Sequence, residues 1–223
     1  MTDEQRTYWE KKIIAWEGSM RGASNPRSVP FLERAAAPFR KSLILRLEVA
    51  ERLLKNQIAG KIVADLGCGS GMLARNLSAY GPSQVIGVDI ALPAVQTAQQ
   101  RSRDAGIAPS LVDFVCKDVR YDTDFLAKVD VVVGVGFLDY LNKDECLALF
   151  RSIRGKAFLF SSPVEKEFSL RALLRQIYLK LAGCPGSYRY SRAELDDMFR
   201  GMGNIHHYNK NSIRFVTNLP IGP

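Results

Sequence analysis

The sequence predicts an α/β fold: a doubly wound, mostly parallel seven-stranded sheet with an antiparallel edge hairpin and a helical N-terminal cap. Three observations predict it. From residue 60 onward, short apolar runs alternate with amphipathic stretches of helical period, the rhythm of right-handed crossovers between parallel strands. The runs are continuously apolar, as in strands covered on both faces. After the fifth run the rhythm stops, and two further strand-like segments flank Asn209-Lys210-Asn211, which reads as a hairpin at the sheet edge.

The elements follow in order. Trp9, Ile13 and Trp16 fall at i, i+4 and i+7, one face of a helix, and Gly18 to Pro30 is a Gly/Ser/Asn/Pro-rich loop. Leu43, Leu47, Ala50 and Leu54 share one face of a helical stretch over 31–56, broken early by Pro38. Lys61 to Leu66 is the first strand, Met72 to Tyr80 a helix, Val85 to Asp89 the second strand and Pro93 to Ala105 a helix. Leu111 to Cys116, Val129 to Val135 and Lys156 to Ser161 are strands three to five, with a helix over Lys143 to Ser152. Phe168 to Leu181 is amphipathic, with Arg171, Arg175 and Lys180 opposite its leucines. Ser191 to Phe199 opens with a capping box, Ser191 and Glu194. Ile205 to Tyr208 and Ser212 to Asn218 are the last strands. The organisation expected is a helical cap over 1–58 and a core over 59–223, with a substrate-covering insertion at about 162–190.

At 223 residues the chain suits one large domain with a small cap and can bury a core without staples. Cys68, Cys116, Cys146 and Cys184 make no CxxC pair, so no metal site is expected. Reduced thiols, no apolar span and a charged N-terminus without an apolar segment fit a cytoplasmic protein. Net charge is +8, carried as +4 by residues 1–60 and +4 by 161–223 around a neutral middle. Basic flanks meeting over one mouth would attract an anionic substrate. Peripheral contact with an anionic membrane through Phe168 to Leu181 stays open, although that stretch is short and carries three cations.

The chemistry centres on Gly67-Cys68-Gly69-Ser70-Gly71, which follows the first strand and opens a helix. Glycines there let the backbone turn sharply and a ligand approach closely. A dinucleotide fingerprint needs a third glycine where this chain has Met72, and Asp65 just before the loop would repel a pyrophosphate. A cationic ligand suits that loop better. Asp89 ends the second strand, where a carboxylate accepts from ribose hydroxyls. Asp118 follows the third strand at the same edge, suitably placed for an exocyclic amine. The ligand implied carries a positive centre, a ribose and an amino-purine.

Val63 to Gly71, Val85 to Ile90, Asp118-Val119 and Val129 to Val133, in that order, resemble the class I S-adenosylmethionine-dependent methyltransferases, with their Rossmann-like fold. The resemblance covers roughly 60–160 well and 190–218 loosely. It implies that Asp65, Gly67, Cys68, Gly69 and Gly71 hold the methionine portion of S-adenosylmethionine, Asp89 with Ile90 the ribose, and Asp118 with Val119 the adenine. It places Gly136 and Phe137 to Tyr140, after the fourth strand, toward the methyl donor. Asp139, Tyr140 and His206 are the candidate catalytic groups, positioning or deprotonating an oxygen or nitrogen nucleophile. His206 and His207 are adjacent on one strand, so at most one faces a site.

The acceptor expected is a small molecule. After the fourth strand stands Gly134-Val135-Gly136-Phe137, without the proline-rich segment that adenine amino-methyltransferases share or the Pro-Cys of cytosine C5 enzymes. Nucleic acid is therefore disfavoured, with RNA kept as an alternative by the basic flanks. Trp9, Trp16, Phe168, Tyr178, Tyr188 and Tyr190 with Arg171, Arg175, Arg189 and Arg192 suit an acidic or aromatic acceptor. Phe160 to Leu195 loosely resembles magnesium-protoporphyrin methyltransferases, and Tyr8 to Glu17 looks like methyltransferases of bacterial polysaccharide and natural-product enzymes. A non-catalytic S-adenosylmethionine-binding subunit is a further alternative, weakened by the intact loop and all three acids.

Overall fold

The computed structural model describes residues 4–11, 44–163, 188–211 and 213–220. The readings over 12–43 and 164–187, including Trp16, Pro38 and the Phe168 to Leu181 amphipathic stretch, lie outside the described residues. Among the described residues a seven-stranded sheet runs in the order β3-β2-β1-β4-β5-β7-β6. The strands are β1 (Ile62–Leu66), β2 (Gln84–Asp89), β3 (Val112–Cys116), β4 (Val131–Val135), β5 (Ala157–Pro163), β6 (His206–Lys210) and β7 (Ile213–Thr217). The first five are parallel, and β7 lies antiparallel between β5 and β6. The expected fold class holds, and the two late segments form the expected antiparallel edge.

Helical residues 4–11 (α1) and 44–54 (α2) precede the sheet. They are followed by α3 (Met72–Leu77), α4 (Leu92–Asp104), α5 (Lys143–Ser152) and α6 (Arg192–Met198). The helix expected over Met72 to Tyr80 tightens after Leu77 into a 3-10 turn, Ser78–Tyr80, closed by Gly81 at φ 69°. Asn142 and Glu145 form a reciprocal capping box on α5, and Ser191 and Glu194 do the same on α6, as their spacing predicts.

Strand periodicity divides the core between the two sheet faces. Val63, Val85, Val131, Val133, Leu159 and Phe215 meet α2, α3 and α4 on one face. Ala50, Leu54 and Ile58 are fully buried there, so α2 is continuous with the core. On the other face Ala64, Leu66, Ile86 and Val132 pack with α5 and α6. That side is dominated by phenylalanines: Phe199 stacks on Phe158 at 4.8 Å and on Phe150 at 4.2 Å. Because β1 to β4 run parallel, their C-terminal ends open on one edge, where ligands of such sheets bind.

Candidate functional site

The loop after β1 is built on left-handed backbone. Gly67, Gly69 and Gly71 have φ of 69°, 53° and 72°, a region that side chains rarely adopt. The Gly67 and Cys68 N–H groups both donate to the Val88 carbonyl, at 2.8 and 3.0 Å, tying the loop to β2. Asp89 completes the clamp. Its Oδ2 accepts from the Gly69 N–H and its Oδ1 from the Ala91 N–H, each at 2.9 Å. The acid that ends β2 thus organises the loop that ends β1.

Asp65 lies behind this loop, pairing across the sheet with Gly87 and Val133. It is 3% exposed and its Oδ2 has no hydrogen-bond partner. Burial above all, and then the charge of Asp89, push its carboxyl from 3.8 up to about 7, against the Ala74 N–H, which favours ionisation. A buried acceptor without a donor, beside a second carboxylate, fits a cationic ligand group such as an ammonium.

Asp118, after β3, is held by Arg120. Oδ1 accepts from the Arg120 backbone N–H at 3.1 Å and from Nε at 2.8 Å, and Oδ2 accepts from Nη2 at 2.6 Å. Burial raises its pKa, but hydrogen bonding and charge from Arg120 outweigh this and hold it below the usual range. Val119 beside it is buried and Ile90, after β2, is half-buried.

The end of β4 forms the opposite wall. Gly136 turns at φ 70°, its N–H donating to Ser161 Oγ at 2.9 Å. A side chain there would meet Arg46 Nη1 at 2.5 Å, and one on Gly67 would meet the Phe137 ring at 2.8 Å. Asp139 is 2% exposed, with Arg46 Nη1 at 3.8 Å. Tyr140 is half-buried under α1: its ring meets Trp9 edge-on at 4.9 Å and its carbonyl accepts from Gln5 Nε2 at 2.9 Å. Trp9 also packs on Ala91 and Ala94, and Arg6 and Glu10 act electrostatically on Cys116. The short helix α1 therefore roofs the strand ends from β3 to β4.

The structure brings together Asp65, Gly67, Cys68, Gly69, Gly71, Asp89, Ile90, Gly136, Asp139 and Tyr140 at one edge, with Asp118 and Val119 following β3 there. It does not bring His206 to them. His206 is exposed on outermost β6, with β7, β5 and β4 between it and β1, roughly 19 Å at about 4.8 Å per strand. His207 faces the opposite way and contacts Asp196 Oδ1 of α6 at 2.6 Å. Sequence reading missed Arg46 and Arg120, whose partners are set by the tertiary fold and by an irregular loop. Among the described residues no cluster of His, Cys, Asp or Glu could hold a metal, and no helix is long and apolar enough to cross a membrane.

The chain is similar to known methyltransferases. The family described as a methyltransferase domain matches residues 63–155, from β1 through α5. The ubiquinone biosynthesis O-methyltransferase of Chromobacterium violaceum is 29% identical over 171 residues, which is 71% of this chain and 70% of that one. The ribosomal protein L11 methyltransferase of Haemophilus ducreyi is 41% identical over 61 residues, 27% of this chain and 21% of that protein. So the chain spans most of the first relative and about a fifth of the second. Among solved structures, magnesium protoporphyrin IX methyltransferase from Synechocystis PCC 6803 with bound SAH superposes with a TM-score of 0.73 at 19% identity, covering 97% of this chain and 98% of that one, a likeness of fold. The matched segment starts at β1 and contains the glycine loop, Asp65, Asp89 and Asp118, and over residues 63–155 the chain is similar to the methyltransferase domain family.

Proposed function

We propose that the chain methylates an oxygen or nitrogen of a small acidic or aromatic acceptor, at the strand edge between the glycine loop and Tyr140. The observation that carries this reading is the roofed mouth. Trp9 covers Ala91 and Tyr140, and the buried Arg46–Asp139 pair stands at the end of β4. A polymeric nucleic acid is held mainly through its phosphates by an open, basic groove, which this arrangement does not offer among the described residues. Residues 1–58 supply the cap on this reading, and 59–223 the catalytic core, with the insertion at about 162–190 beside the acceptor.

S-adenosylmethionine supplies an electrophilic methyl group on a sulfonium. The chain's own residues bind and orient. Asp65, with the loop Gly67, Cys68, Gly69 and Gly71, receives the amino-acid end, Asp65 meeting its ammonium. Asp89 and Ile90 take the ribose, and Asp118 and Val119 the adenine. Gly136, without a side chain, lets Arg46 reach the acceptor side. The Tyr140 hydroxyl orients the acceptor, Asp139 is the candidate base, and Trp9 excludes water from the alignment.

Arg46 gives the acidic acceptor its physical basis. Its guanidinium is mostly buried, Nε has no hydrogen-bond partner, and its carboxylate neighbour stands at 3.8 Å, longer than a hydrogen bond. A second oxyanion would satisfy it through bidentate contacts. An acceptor screen of small aromatic acids, followed by Arg46→Met, tests this. The expected result is a rise of about tenfold or more in acceptor KM, from loss of a charge-assisted contact, with S-adenosylhomocysteine affinity unchanged. Weakened S-adenosylhomocysteine binding with unchanged acceptor KM would assign the guanidinium to the cofactor's carboxylate instead.

A further inference from the structure

Arg120 is not accounted for by any step above, yet it is among the most tightly held cations of the described chain. Its side chain is 6% exposed, it forks Asp118 through Nε and Nη2, and Nη1 lies 3.6 Å from Glu145 Oε1. Glu145 is itself fixed, because its Oε2 accepts from the Asn142 N–H that starts α5. Asp118 is therefore anchored through Arg120 to the helix that follows the acceptor loop.

The count of acceptor positions gives the consequence. An ionised carboxylate offers about four lone pairs. Arg120 uses two on Oδ1, through its backbone N–H and Nε, and one on Oδ2, through Nη2. One acceptor position remains on Oδ2, in a direction set by the guanidinium plane. The Asp118 side chain is 14% exposed, so it reaches the strand-end space without being freely solvated.

We propose that Arg120 is a positioning residue that makes the cofactor site specific for a 6-aminopurine. It fixes Asp118 as an ionised acceptor with a single remaining direction, which rests on the reading of Asp118 as the adenine-side acid. A 6-amino group donates to that position. A 6-oxo group presents a lone pair to a carboxylate that cannot turn away and that Arg120 keeps deprotonated. Without Arg120, the carboxylate can rotate or take up a proton and then donate, so the two purines become alike.

The test is calorimetric titration with S-adenosylhomocysteine and its 6-oxo analogue S-inosylhomocysteine. Wild type, Arg120→Met, Arg120→Lys and Asp118→Asn proteins are compared, each checked by thermal melting. The expected result is at least about tenfold tighter wild-type binding of the amino form, the scale of one charge-assisted hydrogen bond. Arg120→Met and Asp118→Asn should collapse that ratio toward one. Arg120→Lys, which keeps the charge without the fork, should lose most of it and stands in if the methionine variant does not fold. A merely structural arginine would weaken both ligands equally and leave the ratio unchanged. An unchanged ratio in both Arg120 variants, or equal wild-type affinities, overturns the proposal while the methyltransferase reading stands. Failure of the wild type to bind S-adenosylhomocysteine overturns both.

Discussion

The Asp65→Asn protein is expected to melt higher than the wild type at pH 8 and to bind S-adenosylmethionine roughly a hundredfold more weakly, the loss of a hydrogen bond to a charged group. Both effects come from one buried carboxylate. The carboxyl of Asp65 titrates at about 7 in the folded chain against an ordinary 3.8, chiefly because burial penalises its charged form. Between those values the folded state holds a proton that the unfolded state has released, so stability falls as pH rises. The penalty is absent below about pH 4 and fully present above about pH 7, where it reaches on the order of 4 kcal/mol. Asparagine removes the charge but leaves its amide nitrogen where Oδ2 now lacks a partner, so part of the gain is lost. A net gain of about 2 kcal/mol raises Tm by roughly 4–8 °C at pH 8, with little or no gain at pH 5. Ligand affinity of the wild type should run the other way, strengthening from pH 5.5 to 7.5 as Asp65 ionises for its ammonium partner. Melts and titrations across this range check both signs. An equal gain at both pH values would mean that the asparagine acts by packing.

Gly71→Ala is expected to lower Tm by roughly 5–15 °C and to abolish measurable cofactor binding. The added Cβ would sit 2.3 and 2.5 Å from two atoms of the Phe114 ring and 3.0 Å from the Ala98 Cβ, on backbone at φ 72°. The ring cannot swing aside, because Phe114 is 3% exposed and the same ring fills the space a Cβ would need at Gly87. Left-handed backbone costs alanine about 1–2 kcal/mol and overpacking about 1–3 kcal/mol more. Gly155→Ala is the control. It has φ of 80° but nothing within 4 Å of its Cβ position, so only the backbone cost applies. Equal losses in the two variants would show that Phe114 yields.

The sheet was legible because its parallel strands are buried on both faces. β1, β2 and β4 are dominated by Val, Ile, Leu and Ala, and the glycine loop and acids stand at or near their ends. The capping boxes on α5 and α6 were legible because their chemistry is local. The site was legible only in part. Asp65, Asp89 and Asp118 announce themselves by standing at or just after strand ends. Arg46 does not: it is one of two arginines on α2, and only the packing of α2 brings it to Gly136 and Asp139. Arg120 sits in an irregular loop with no periodicity to mark it. His206 was the opposite case, a residue of suggestive chemistry that strand order carries to the far edge. That order, with β7 inserted between β5 and β6, is decided by which edge the returning chain can pair with.

The account rests on a cofactor held between the glycine loop, Asp65, Asp89 and Asp118, and titration of wild-type and Asp89→Ala proteins with S-adenosylhomocysteine tests it most directly. Asp89 orients the Gly69 and Ala91 N–H groups and is assigned the ribose hydroxyls. The account predicts micromolar binding by the wild type, weakened by roughly 1.5–3 kcal/mol in the variant, about tenfold to more than a hundredfold in Kd. A folded variant that binds as tightly as the wild type, or a folded wild type that does not bind, would contradict it.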